Sequence, residues 1–230
     1  MARELAELGV VVGLRELRLR AKSKAVEAIG EYAGEVKRVA REARGVEELR
    51  VRLVKLFDDV AKRAAEEYRR TRGEETLWRA VGAVVAKRFF AENVNDPVWW
   101  TVLLLGDGIV KVRGQELGFV AKPVEAAEAV MHIFARAMGV PLEVQREGVY
   151  NAMLSREASR AAVEKLFRRL EEARVGDAPA HQVLAAVAEW WLGSVWAAQT
   201  RPSYCRSTPS ASWSLARRAN GLGRGCPTRP

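Results

Sequence analysis

Val98-Trp99-Trp100-Thr101-Val102-Leu103-Leu104-Leu105-Gly106-Asp107-Gly108 is an apolar run that ends in one carboxylate set between two glycines. Asn95-Asp96-Pro97 at its head is a helix start, because proline lacks an N–H that the first turn would leave unpaired and a side-chain oxygen before it can cap another. The run therefore predicts a helix from Pro97 to about Gly106. Beyond Gly108 the apolar period changes to two: Ile109, Lys111 and Arg113 alternate with Val110 and Val112, which predicts a strand. Gly114-Gln115-Glu116 is a turn and Leu117 to Ala121 a second strand. Pro123 then opens a helix whose inward face is Ala126, Val130, Ile133, Phe134 and Ala137, closed by Gly139.

The same order recurs in residues 142 to 174. Leu142 to Gln145 and Val149 to Leu154 are strands joined by Arg146-Glu147-Gly148. A helix entered at Ser155 carries Ala162, Val163, Leu166, Phe167 and Leu170 inward. With the apolar helix in front, the region reads αββαββα.

Upstream, Val26, Ile29, Ala33, Val36, Ala40 and Ala43 fall at spacings of three and four, as do Val46, Leu49, Leu53, Leu56 and Val60. Gly45 separates the two sets, and so short a link predicts an antiparallel helical hairpin over residues 22 to 71. Residues 74 to 92 predict a further helix with Leu77, Trp78, Val81, Val84, Val85 and Phe89 inward. Residues 178 to 198 predict a last one, with Val183, Val187, Trp190, Trp191 and Trp196. Residues 1 to 21 carry mixed signals: Glu4 to Leu8 reads as helix, while Leu17-Arg18-Leu19-Arg20 alternates like a strand. After Thr200 the sequence turns to Ser, Pro, Gly and Arg without apolar period, which predicts a disordered tail. Acids vanish there and both cysteines, Cys205 and Cys226, appear there, a change of texture that points to a disrupted reading frame. The expected organisation is a helical N-terminal arm at 1–92, an α+β domain at 93–176, a C-terminal helix at 177–200 and a tail at 201–230.

Composition narrows the function classes. The net charge of +9 resembles a nucleic-acid footprint, yet residues 201 to 230 hold six Arg and no acid, which leaves +3 for the first 200 residues. With both cysteines in the tail, a disulfide framework or a cysteine-based zinc site in the folded region is excluded. The 29 Arg and 24 Glu, against 9 Lys and 5 Asp, fit a GC-rich or heat-adapted source with surface ion pairs. The run from Val98 to Leu105 spans about 12 Å as a helix, short of the roughly 30 Å core of a bilayer, so no membrane partner is expected and a cytoplasmic location is the default.

Aligned by its Asp-Gly end, Trp100 to Gly108 resembles the nine-residue signature of the LAGLIDADG homing endonucleases, and the αββαββα order resembles their fold. The resemblance covers residues 97 to 174. It implies that Asp107 is the catalytic acid and metal ligand, with Mg²⁺ as cofactor if the chain is a nuclease. It also implies that a single-motif chain works as a homodimer through helix 97–106, since one carboxylate cannot neutralise both the attacking and the leaving oxygen of a phosphodiester. Double-stranded DNA would then be the partner, contacted by Lys111, Arg113, Lys122 and Arg146. The chain departs from the family in carrying Thr101 and Val102 where small residues let two helices approach, and the bland alternative for Asp107 is a helix end whose Gly108 turns left-handed. Asn95-Asp96-Pro97, Leu103 to Gly108 and Phe119-Val120-Ala121-Lys122, together with the broken tail, also resemble the proteins of crenarchaeal genomic repeats, the paREP type, second group. Trp99, Trp100, Trp190 and Trp191 read as core, and His132 and His181 stand without spaced partners. The functional expectation is a DNA-binding module derived from a homing-endonuclease-like fold and no longer cleaving. The alternatives are a non-enzymatic helical protein-interaction module and a degenerate truncated relic.

Overall fold

The structure is a computed structural model that describes residues 1–111 and 115–186; the expectations for Arg113 and for residues 187–230 lie outside the described residues. It is a mixed fold of helix and sheet, mostly helical. In chain order come α1 (Ala2–Glu7), α2 (Leu14–Glu31), α3 (Ala33–Glu42), α4 (Val46–Thr71), α5 (Glu74–Asn93), α6 (Pro97–Asp107), β1 (Gly108–Lys111), β2 (Glu116–Val120), α7 (Val124–Met138), β3 (Val144–Glu147), β4 (Asn151–Leu154) and α8 (Arg156–Glu172). A small hairpin, β5 (Arg174–Val175) and β6 (Ala178–Pro179), follows, and residues 180–186 are helical. Met1–Ala186 is one compact unit, and a single buried cluster runs through it from Leu5 to Ala180.

The helices of the first 93 residues pair differently from the expected hairpin. The periodic stretch 22–43 is two helices, bent at Tyr32 (φ −105, ψ 22), and α3 leaves α4 to lie on α7. α2 also meets the head of α7: a Cβ on Gly30 would sit 2.4 Å from Pro123 Cγ, so the two come together where glycine alone leaves room. The long antiparallel pair is α4 with α5. Phe57 stacks on Phe90 at 5.4 Å, Asp58 meets Lys87 at 3.1 Å and Glu67 meets Arg79 at 3.6 Å, so positions rise along one helix as they fall along the other. Arg72, left-handed at φ 53, and Gly73 make the turn between them. α2 covers the other side of α5, closely enough that a Cβ on Gly82 would lie 2.3 Å from the Lys24 carbonyl oxygen.

From α6 to α8 the element order is the one expected. The sheet is antiparallel throughout, in the order β1-β2-β4-β3. Its register aligns Gly108, Phe119, Ala152 and Arg146 in one cross-strand row and Ile109, Gly118, Met153 and Gln145 in the next. Side chains alternate between faces along a strand. The row with Phe119 therefore looks toward α7, to which Arg146 is bonded, and the row with Gly118 looks away. α8 is fastened to the sheet through Ser159, whose hydroxyl accepts from the Leu117 N–H at 2.9 Å and lies 3.4 Å from the Leu154 carbonyl oxygen, to which it donates. Two residues expected inward on α8 face out: Val163 is 36% exposed and Phe167 61%. Their spacing is helical and apolar, but the buried stripe of α8 is Ala158, Ser159, Ala162, Leu166 and Leu170.

Candidate functional site

The site expected from the sequence is the far end of α6. Its near end is fixed tightly. The Asp96 carboxylate accepts from the Val98 N–H at 2.9 Å, and the Trp100 indole donates to the Val94 carbonyl at 2.9 Å. Trp99 meets Phe89 edge-on at 4.2 Å, and Trp100 packs on Phe134 at 5.2 Å. Trp100 is 1% exposed, the one residue of α6 that is fully buried. The opposite side of this strongly apolar helix looks outward, with Val102 54% and Leu105 68% exposed.

At the tip, Asp107 is the last helical residue and its carboxylate is bonded to the Lys22 ammonium at 2.6 Å. Both groups touch water, Lys22 at 75% and Asp107 at 33% exposure, so this is a surface ion pair worth about 0–1 kcal/mol. Gly108 is not left-handed as the alternative reading of the motif held. It is extended (φ −83, ψ 157), and glycine is required there for another reason: a Cβ would lie 2.1 Å from the Leu104 carbonyl oxygen. The chain thus passes from helix to strand without a turn, and Asp107 heads straight into β1.

The structure does not bring the expected DNA-contact residues together. Lys111 projects from the face turned away from α7 and is held between Glu116, at 3.6 Å, and Glu147. Its hydrogen bond to Glu147 raises the pKa of the ammonium. Arg146 projects from the opposite face and bonds Glu128 and, at 3.1 Å, Glu125. Lys122 is exposed at the end of β2. Since Lys111 and Arg146 lie on opposite faces, one duplex cannot meet both.

Sequence reading passed over Glu128. It sits in the apolar stripe of α7 with its side chain 12% exposed, and it binds Arg146 of β3 together with Lys37 of α3, the latter at 2.9 Å. The Arg146 hydrogen bond, aided by Lys37 and opposed by burial, lowers its pKa to about 2. One turn on, buried His132 bonds the Glu128 carbonyl through Nδ1 at 2.8 Å, so that nitrogen is the one carrying the proton. Burial lowers the pKa of the ring. The signal in the sequence was a lone carboxylate in Ala126-Ala127-Glu128-Ala129-Val130, where an apolar helix face has no use for a charge without a partner.

The donor set at Asp107 does not fit a Mg²⁺ centre within one chain. Such an ion takes several oxygen ligands, whereas Asp107 stands beside an ammonium, and no group of three His, Cys, Asp or Glu converges anywhere among the described residues. A more prominent feature lies around it. β1, β2 and α8 enclose a groove of about 490 Å³ lined by Val110, Leu117, Ser159 and Val163. Val110 is 64% exposed and Phe167 lies one helical turn beyond Val163, so apolar surface continues along α8 past the groove. No helix among the described residues is long and apolar enough to cross a membrane. No protein-family model, no curated protein and no solved structure matches this chain.

Proposed function

We propose that this chain is a non-enzymatic self-association module. Two copies pair through α6, and the α6–α8 segment keeps the architecture of a LAGLIDADG-like fold while Asp107 no longer serves cleavage. The observation that carries the reading is that the most apolar helix buries only Trp100 fully and turns Val102 and Leu105 to water. Val110, Val163 and Phe167 extend that surface on the neighbouring elements. A twofold contact needs a self-complementary patch. The α8 rim carries Arg160 and Glu164 one turn apart, so an antiparallel second α8 would set Arg160 against the partner's Glu164, drawing that carboxylate from its own Arg168. Burying such side chains yields about 1.5–3 kcal/mol each when complete, enough in sum to offset the several kcal/mol of lost translational and rotational freedom. The test is sedimentation equilibrium of the full chain and of Val102→Glu/Leu105→Glu. A dimer that becomes a monomer with an unchanged circular dichroism spectrum, and loses the concentration dependence of its melting temperature, supports the proposal; a wild-type monomer at every concentration ends it.

A second reading, a duplex-DNA-binding module, is favoured by one observation: Lys122 is exposed at the end of β2, and among the described residues no carboxylate pairs with it. Against it stands the pairing of Lys111 with two carboxylates. Binding to a set of duplexes at low and high salt decides, since phosphate contacts give an affinity that falls steeply with salt. A Mg²⁺ cleavage assay comparing wild type with Asp107→Asn tests the loss of nuclease activity. Cleavage by the wild type alone would return Asp107 to a catalytic role.

A further inference from the structure

The first half of α2 carries a surface that the self-association reading does not use. From Leu14 to Ser23 only Leu17 is buried, while Val11, Leu14 and Leu19 are 82%, 64% and 75% exposed. At 3.6 residues per turn, Arg15, Arg18 and Lys22 fall within one stripe about 60° wide, with Leu14 on one side and Leu19 on the other. Arg20 is engaged by Glu74 and Lys24 by Glu27. Among the described residues no carboxylate pairs with Arg15 or Arg18, and Lys22 meets only the tip of α6.

We propose that this flank of α2 docks an acidic amphipathic segment of a partner protein, one whose carboxylates meet Arg15, Arg18 and Lys22 while its apolar side chains cover Leu14 and Leu19. Charge complementarity selects the class of partner. An anionic bilayer takes up an apolar centre with basic margins, and here the order is reversed. A nucleic acid would engage the cations through phosphates and leave two leucines uncovered, with no gain from them. An acidic helix with apolar margins satisfies both, much as flanking charges and apolar seams select partners in paired helices.

The experiment uses the full chain and, separately, the Val102→Glu/Leu105→Glu variant, so that failure of docking is distinguished from failure of α6 pairing. The probe is a fluorescent synthetic helix with leucines at helical spacing and glutamates between them, followed by anisotropy; the same helix with lysines is the comparison. Both proteins are expected to bind the glutamate helix and to ignore the lysine helix. Arg15→Glu/Arg18→Glu should weaken binding about tenfold or more, and Leu14→Ala/Leu19→Ala about fivefold, with circular dichroism unchanged since these side chains lie in water. No binding of the glutamate helix overturns the proposal. So does binding that survives the arginine reversals, binding indifferent to the leucines, or equal displacement by a short DNA duplex.

Discussion

Glu128→Gln isolates the one carboxylate that ties α3, α7 and β3 together. Glutamine keeps the volume and removes the charge, leaving, among the described residues, Arg146 with Glu125 alone and Lys37 with no carboxylate bound. The fall of the pKa from an ordinary 4.5 to about 2, at about 1.4 kcal/mol per pH unit, sets a ceiling of about 3.4 kcal/mol. Arg146 is 47% exposed, so water screens its share and roughly half of the ceiling, about 1.5–2 kcal/mol, is the expected loss at neutral pH. In a unit of this size that lowers the melting temperature by about 3–8 °C. The sign with pH follows from linkage. A carboxyl held below its unfolded pKa stabilises fully above about 4.5, and this contribution drains away as the pH falls toward about 2. Thermal melts of wild type and variant at pH 7 and down through the acid range are the assay, read as the gap between the two proteins, since the other carboxylates titrate in both. The gap should close between about pH 4.5 and 2. No gap at pH 7, or one that persists undiminished into acid, would refute the reasoning.

Ser159→Ala should destabilise by about 1–3 kcal/mol in urea unfolding, because the buried Leu117 N–H loses its acceptor and no water replaces it. Gly82→Ala drives a Cβ to 2.3 Å from the Lys24 carbonyl, a backbone atom that cannot swing aside, and should cost about 1–3 kcal/mol by the same measurement. Asp107→Asn should leave stability within about 0.5 kcal/mol, as expected of a pair in which Lys22 is 75% exposed; a drop of many degrees in melting temperature would make that pair a fastening of α6 to α2.

The order of elements from α6 to α8 was legible because every boundary there has local punctuation. Asp96-Pro97 starts α6, Gly139 stops α7 in the left-handed conformation (φ 61), and the Ser155 side chain caps α8. Strand limits moved by one or two residues, as with β2 at Glu116–Val120 where Leu117 to Ala121 was expected. The helical hairpin was misassigned because periodicity says that a segment is helical and not which helix it touches. Next to the bend at Tyr32, Gly30 lies against Pro123, a contact across more than ninety residues that no local window contains. The β5–β6 hairpin, two residues per strand, is too short to show any period. The placement of Lys111 and Arg146 was hidden for a related reason. Each strand's alternation was visible, but the register across β1, β2, β4 and β3, which puts Lys111 and Arg146 on opposite faces, depends on hairpin geometry that spacing does not encode.

The outward turn of Val163 and Phe167 belongs to the same class of error and is the more instructive one. An apolar stripe on a helix reports that the stripe leaves water, and the assignment to the chain's own core is an added assumption. On α8 the small residues Ala158, Ser159 and Ala162 take the core side, which lets the helix sit close to the sheet and leaves the larger Val163 and Phe167 outside. On α6 the bulky Trp100 takes the core side and Val102 and Leu105 are left outside. Polar residues could stand at these four positions at no expense to the described core, because none of them is part of it. Local pattern and monomer structure disagree there, and natural sequences keep such disagreements where a function needs them. On the self-association proposal a second copy laid against α6 and α8 would cover all four positions, whereas a ligand of the size of the β1–α8 groove would cover Val163 and leave Val102 and Leu105 in water.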